Sequence, residues 1–280
     1  MATYPNFRLD GKVYAVTGGG RGIGLCIAEG MANAGAEVHC LDLSPAPTDD
    51  FLAAKDRLEQ HQRGTSLYYH TLDVRDGPAT TTLFKQISQG HFSVENDITR
   101  RHTLPPRFDG LVAAAGVQHL ENALDYTPSD IHKMFEVNYT GVLLSAQAAA
   151  RTIISTSTPA ASIVLVASMS AFVANKGLKS SIYNSSKAAV VQLARNLAME
   201  WARYGIRVNA LCPGHTLTPM VEENFKEVGD GLREVWEREN MLGRMARPGE
   251  MVGGVVFMLS EASSFMTGAS LVIDGGHTAW

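Results

Sequence analysis

The sequence predicts an α/β protein, a doubly wound parallel sheet of seven strands with helices on both faces, in a single domain spanning residues 1–280. Three observations carry this. Short β-rich apolar runs alternate with longer helical patterns along the chain, the signature of repeated strand–helix–strand units. The run Ser162–Val166 (SIVLV) is nearly all apolar, as a strand buried on both faces must be. Glycine is abundant, at 26 residues, which suits a fold with many tight strand–helix junctions.

Lys12–Thr17 (KVYAVT) is the first strand and runs into glycines. Gly22–Ala36 follows as a helix, with Gly35 as its stop. Glu37–Leu41 is the second strand and ends at Asp42. Pro45 and Pro47 break the chain before a polar helix over Asp49–His61. Ser66–Thr71 is the third strand, followed by Asp73-Val74 and a further helix. The polar stretch Gln89–Phe108 interrupts the rhythm and reads as a surface insertion, because the alternation resumes at once. Asp109–Ala114 is the fourth strand. Thr127-Pro128 starts a helix, with Thr at the cap and Pro at the first position. The fifth strand, Ser162–Val166, leads to the helix of Tyr183, then to a sixth strand at Arg207–Leu211. Pro248–Leu259 is the last helix and Ser270–Ile273 the seventh strand.

Composition narrows the function. The net charge is −4 and no Lys/Arg run forms a basic stripe, which argues against nucleic acid. Cys26, Cys40 and Cys212 are scattered through apolar stretches, with neither metal spacing nor a disulfide framework, so no metal is expected. The N-terminal stretch lacks an apolar run, and no stretch approaches the ~20 apolar residues of a membrane span. A cytoplasmic protein is the expectation.

Two constellations carry chemistry. Tyr183 and Lys187 lie four apart on a helix and so share a face. A cation beside a phenol favours the phenolate, which brings proton transfer near neutral pH into range. The string Thr17-Gly18-Gly19-Gly20-Arg21-Gly22-Ile23-Gly24 sits between the first strand and the first helix. Its glycines permit a tight turn and close approach to a pyrophosphate, and the helix N-terminus offers free N–H groups. Asp42 ends the second strand, where a carboxylate accepts from ribose hydroxyls and repels a 2′-phosphate. That favours NAD over NADP, although Arg21 and Ser44 could each reach such a phosphate.

With these residues the sequence resembles the short-chain dehydrogenase/reductase family, from about Leu9 to Gly276. Gly18, Gly22 and Gly24 have the family spacing G-x-x-x-G-x-G, and the Tyr/Lys pair matches its catalytic motif. The resemblance implies a Rossmann-like fold and hydride transfer between NAD(P) and an alcohol or ketone. It also implies that Arg21, Ile23, Leu43, Asp73, Val74, Ala114, Ala115 and Gly116 bind cofactor. Pro213, Gly214, Thr216 and Thr218 belong to the loop that holds the nicotinamide carboxamide. Asn138 matches the active-site Asn, expected to anchor a water that relays protons from Lys187. The stretch Ala113–Gly116 departs from the family's Asn-Asn-Ala-Gly and loses polar side chains below the cofactor.

The catalytic serine has two candidates. The usual spacing to the Tyr points to Ser170; the end of the fifth strand points to Ser168. A loop absorbs a two-residue insertion, whereas a slipped strand moves every side chain it carries, so Ser168 is preferred. Ala167-Ser168-Met169-Ser170 is also similar to fungal polyol and carbonyl reductases of the family. His119, Ser170, Phe172 and His215 follow strands that should surround the substrate, whether a sugar alcohol, its ketose or a cyclic ketone. Pro219–Arg247, with separated hydrophobes including Met220 and Trp236, reads as a mobile lid with too little apolar area to pack firmly alone, the alternative being a permanently folded helical pair that only shapes the surface. Family members commonly associate through the last helix and strand, so a homotetramer or homodimer is expected. The competing function is a nucleotide-binding regulatory protein without turnover, but such a protein has no need of a tuned phenol.

Overall fold

A computed structural model describes residues 6–60, 67–90, 105–229 and 231–280. Its strands are β1 (Val13–Thr17), β2 (Glu37–Asp42), β3 (Leu67–Thr71), β4 (Gly110–Ala113), β5 (Ser162–Val166), β6 (Arg207–Pro213) and β7 (Ser270–Ile273). They form one sheet in the order β3-β2-β1-β4-β5-β6-β7, and every pairing is parallel. This is the Rossmann-like arrangement. The strand order reverses between β1 and β4, so the loops leaving their C-terminal ends diverge and open a crevice there.

The helices are α1 (Gly22–Asn33), α2 (Asp49–Gln60), α3 (Gly77–Ser88), α4 (Pro128–Phe135), α5 (Val142–Thr156), α6 (Ser181–Trp201), α7 (Pro219–Val228), α8 (Gly231–Glu239) and α9 (Val252–Leu259). Successive side chains of a strand face opposite ways, and each face has its own core. Ala15, Leu111, Ile163, Leu165 and Val208 pack with Phe84, Ile153, Val190 and Leu197 on the side of α3, α5 and α6. Tyr14, Val16, Val112, Val164 and Leu211 pack with Ile27, Met31, Phe51 and Met258 on the side of α1, α2 and α9. Each buried Leu, Ile, Val or Phe contributes about 1.5–3 kcal/mol relative to exposure, which explains why the central strands tolerate no polar alternation.

The sequence reading needs small corrections. Asp109 precedes β4 rather than joining it, and spends its carboxylate on the Val13 N–H at 2.9 Å and on Arg107 at 2.6 and 2.7 Å. Phe108, placed at the end of the surface insertion, is fully buried and stacks on Phe84 with centroids 5.1 Å apart. Residues 91–104 of that insertion lie outside the described residues; its base is fastened by the Arg107 N–H to the Ser88 carbonyl at 2.9 Å. His61 and Ser66, assigned to the second helix and third strand, also lie outside them, as does Asp230. Cys26, Cys40 and Cys212 are free thiols, and among the described residues no cluster of potential metal ligands exists. No helix among them is long and apolar enough to cross a membrane.

Candidate active site

A cleft of about 650 Å³ opens at the crevice between β1 and β4. The glycine loop forms one wall. Gly18 has φ +66°, and a Cβ there would lie 2.8 Å from the backbone of Ala115. At Gly24 a Cβ would run into the Gly18 carbonyl oxygen. The loop therefore curls on itself and against β4 in a way only glycine permits, leaving the N-terminus of α1 open to the cleft. The Gly20 N–H donates to Asp42 Oδ2 at 3.0 Å, which ties the end of β2 to this loop.

Asp73 and Val74 follow β3 at the same rim. Arg75 grips Asp73 through bonds of 2.6–3.0 Å and holds its carboxyl below the usual range. The loop from Ala113 to Gly116 lacks polar side chains, but Thr17 compensates. Its carbonyl accepts from the Ala114 N–H at 3.1 Å, and its hydroxyl from the Ala115 N–H at 3.3 Å.

The reacting end lies beyond Gly116, where a Cβ would sit 3.3 Å from Lys187 Nζ and 3.5 Å from Asn138 Oδ1. Lys187 is 4% exposed and donates to the Val166 carbonyl at 3.0 Å. Burial pushes its ammonium down to about 8, so the charged form still dominates at pH 7. Its Nζ stands 5.7 Å from the centre of the Tyr183 ring. Tyr183 is half-buried in the first turn of α6. The sequence expectation was a phenol lowered by Lys187. In the structure burial dominates and raises it, while a hydrogen bond with the Ser168 side chain lowers it. Ser168 stands two residues past the end of β5 and also donates to Ser170 Oγ at 3.0 Å. Both serines line the cleft, and Ser168 is the one close enough to the phenol to lower it.

Asn138 sits in a π-helical turn, Glu136–Gly141, between α4 and α5. Such turns displace one residue from the helical register and are frequent at functional sites. Its amide is fully buried and clamps Val117 from both sides, accepting from the N–H at 2.8 Å and donating to the carbonyl at 2.9 Å. Its other N–H donates to Ser186 Oγ at 3.0 Å. Both amide hydrogens are therefore spent on protein partners, and only Oδ1 keeps a lone pair toward the Lys187 side.

Pro213 ends β6, and it lines the far wall with Gly214, Thr216 and Thr218. A Cβ at Gly214 would lie 2.5 Å from the Asp274 Cα, which explains the glycine there. Thr218 caps α7 by accepting from the Val221 N–H at 3.3 Å. Beyond it the lid segment is better packed than its sequence suggested. The helices α7 and α8 enclose Trp236, Leu232 and Met245, with Val221 and Phe225 against them. Trp236 is 2% exposed and stacks on His215, centroids 3.8 Å apart and planes 7° apart. Burial drives His215 down to about 3, so its imidazole is neutral at pH 7.

All the cofactor positions read from the sequence line this cleft: Gly18, Arg21, Gly22, Ile23, Gly24, Asp42, Leu43, Asp73, Val74, Ala114–Gly116, Tyr183, Lys187, Pro213, Gly214, Thr216 and Thr218. Of the pocket candidates, Ser170, His215, Met220 and Trp236 line it as well. His119 and Phe172 do not. His119 is exposed and set edge-on to Tyr126 at 5.9 Å, while its carbonyl accepts from the Tyr126 hydroxyl at 2.7 Å. Phe172 is 46% exposed, because the short helical turn Met169–Ala171 carries it past the cleft. Arg75, Asn175 and Asn224 line the cleft but were not singled out; Asn224 lies one helical turn past Met220, the only sequence signal for it.

The family model described as Enoyl-(acyl carrier protein) reductase matches residues 18–278. A short-chain dehydrogenase/reductase of Aspergillus versicolor, notP', is 39% identical over 98% of this chain and 89% of its own. The galactitol 2-dehydrogenase of Rhizobium johnstonii is 37% identical over the full length of both chains. The NADH-dependent L-xylulose reductase of Ambrosiozyma monospora is 34% identical over 99% and 98%. The chain belongs to the short-chain dehydrogenase/reductase family. Among solved structures, a short-chain type dehydrogenase/reductase from Mycobacterium marinum superposes with a TM-score of 0.85 at 32% identity, covering 98% of each chain. A gluconate 5-dehydrogenase from Burkholderia cenocepacia, in complex with NADP and tartrate, gives 0.80 at 29%, again over 98% of each. As a member of this family the protein is an NAD(P)-dependent oxidoreductase that interconverts alcohols and ketones; the regulatory alternative is not favoured. The glycine cradle and the open N-terminus of α1 fit the dinucleotide.

Proposed function

We propose that the substrate is a sugar alcohol, oxidised at a secondary carbon to the ketose, with Tyr183 as the acid/base. The observation that carries this is the convergence of Ser168 and Lys187 on Tyr183 at one end of the glycine-walled cleft. The galactitol and L-xylulose relatives support the substrate class. When bound, the nicotinamide supplies or accepts the hydride. Tyr183 gives or takes the proton at the substrate oxygen, and Ser168 bonds the same oxygen and fixes its position. Lys187 holds the nicotinamide ribose and keeps positive charge beside the phenol. Asn138 holds Val117 and thereby the floor of the site, and offers its remaining lone pair to a relaying water. Thr216, Thr218 and the backbone at Pro213-Gly214 hold the carboxamide. A panel of pentitols and hexitols, followed by nicotinamide absorbance, tests the reading. Turnover confined to alcohols with a single hydroxyl overturns it.

Asp42 supports a preference for NAD. Its Oδ2 accepts from the Gly20 N–H at 3.0 Å and its Oδ1 only weakly from the Ser44 N–H at 3.5 Å, which leaves lone pairs for the ribose hydroxyls. kcat/KM is expected to be higher with NAD than with NADP; equal or better values with NADP would shift the assignment to Arg21 and Ser44.

We also propose a homotetramer or homodimer in the cytoplasm. The edge strand β7 leaves Val272 exposed, and Phe265, just after α9, is fully exposed. An unpaired apolar edge of this kind is ordinarily covered. Light scattering at micromolar concentration is expected to give a multiple of the 30.2 kDa chain mass, and a monomer there refutes the assembly.

A further inference from the structure

We infer that a pair of amides, Gln118 and Asn224, reads the substrate's hydroxyls away from the reacting carbon, and so selects polyols over simple alcohols. The inference rests on the polyol reading of the site. Asn224 Nδ2 donates to Gln118 Oε1 at 2.9 Å, linking the loop after β4 to α7 across 106 positions of sequence. Both residues line the same cleft as Ser168 and Tyr183. Each is held from behind. Gln118 follows Val117, whose N–H and carbonyl are both clamped by Asn138 at 2.8 and 2.9 Å. Asn224 lies on α7, whose start is fixed by the Thr218 cap, and is 5% exposed.

The pairing uses one acceptor and one donor. What remains is the Gln118 amide NH₂, the second Asn224 Nδ2–H and the Asn224 carbonyl oxygen, none with a hydrogen-bond partner among the described residues. Turning both amides over would leave the same complement, donor hydrogens beside one acceptor oxygen. A hydroxyl is both donor and acceptor, so two hydroxyls on neighbouring carbons satisfy this pair together. An alkyl chain in that place would leave the nearly buried Asn224 oxygen and the half-buried Gln118 amide unsatisfied, which is how hydrogen-bonding sites reject analogues that lack a hydroxyl. Met220, Val221 and Trp236 give the same cleft apolar lining, and Asn175 and Glu223 line it as well.

The test compares kcat/KM for a pentitol and for 2,3-butanediol in the wild type, Asn224→Leu, Gln118→Met and Gln118→Glu. Gln118→Glu keeps an acceptor for Asn224, and with it the link to α7, but removes the Gln118 donor. The pentitol-to-butanediol ratio is expected to fall ~10-fold in each variant, the scale of one lost neutral hydrogen bond or slightly more. NAD binding and thermal unfolding of each variant report whether the fold is intact. A wild type that oxidises pentitols while all three variants keep its ratio, or lose both substrates in parallel, overturns the inference alone. A wild type active on butanediol and on no polyol overturns the substrate reading and the inference with it.

Discussion

Replacing Tyr183 with Phe is expected to lower kcat at least ~100-fold in both directions, the ordinary scale of a general acid/base group, with dinucleotide affinity nearly unchanged. Only the hydroxyl is lost, and it acts on the substrate oxygen rather than on the cofactor. The wild type should also carry a pH signature whose sign follows from the two directions. Alcohol oxidation needs the phenolate, so it rises with pH as the phenol ionises. Ketone reduction needs the phenol, so it falls over the same range. Burial raises the Tyr183 phenol in the free protein. Oxidation is thus expected to be favoured on the alkaline side, until Lys187, which titrates at about 8, loses the charge that assists it. Steady-state rates from pH 6 to 10 check this. A Phe variant keeping more than ~10% of kcat would remove Tyr183 from the role.

Gly18→Ala is expected to raise the Kd for NAD(P) by more than ~10-fold. The left-handed backbone at φ +66° costs a side-chain-bearing residue ~1–2 kcal/mol. The added Cβ would also lie 2.8 Å from the backbone of Ala115, and backbone cannot swing aside as a flexible side chain can. The loop must therefore shift away from β4, and the phosphate cradle goes with it. Titration of reduced nicotinamide fluorescence measures the affinity. An unchanged Kd would mean that the glycine loop is not the phosphate site.

The features legible in the sequence were those set by local geometry. Glycines at a strand–helix turn, a Tyr and Lys one helical turn apart, and apolar strands all express short-range constraints, and they stand where expected. What escaped the sequence depends on contacts between distant segments. His119 turns away because Tyr126 holds it, and Phe172 because a short helical turn rotates it outward. The segment from Pro219 to Arg247 looked too sparsely apolar to pack, yet His215 and Leu178, from outside it, complete the surroundings of Trp236. The spacing of Tyr183 and Lys187 gave their shared face but not their burial, which reverses the net direction of the phenol's shift. The π-helical turn at Asn138 has no periodicity signal at all.

The contact between α1 and α9 has a bearing on how the chain comes off the ribosome. Gly30 lies so close to Val252 that a Cβ would meet its side chain, and the Tyr14 hydroxyl of β1 donates to the Leu259 carbonyl at 3.3 Å. One face of the first strand is thus completed by a segment 245 positions further along the chain. Loop closure over such a span must be met before those contacts return any stability, which slows folding. During synthesis the face carrying Tyr14 and Val16 stays open until α9 emerges, and a nascent chain arrested before that point offers bare apolar surface to a chaperone or to a neighbouring nascent chain.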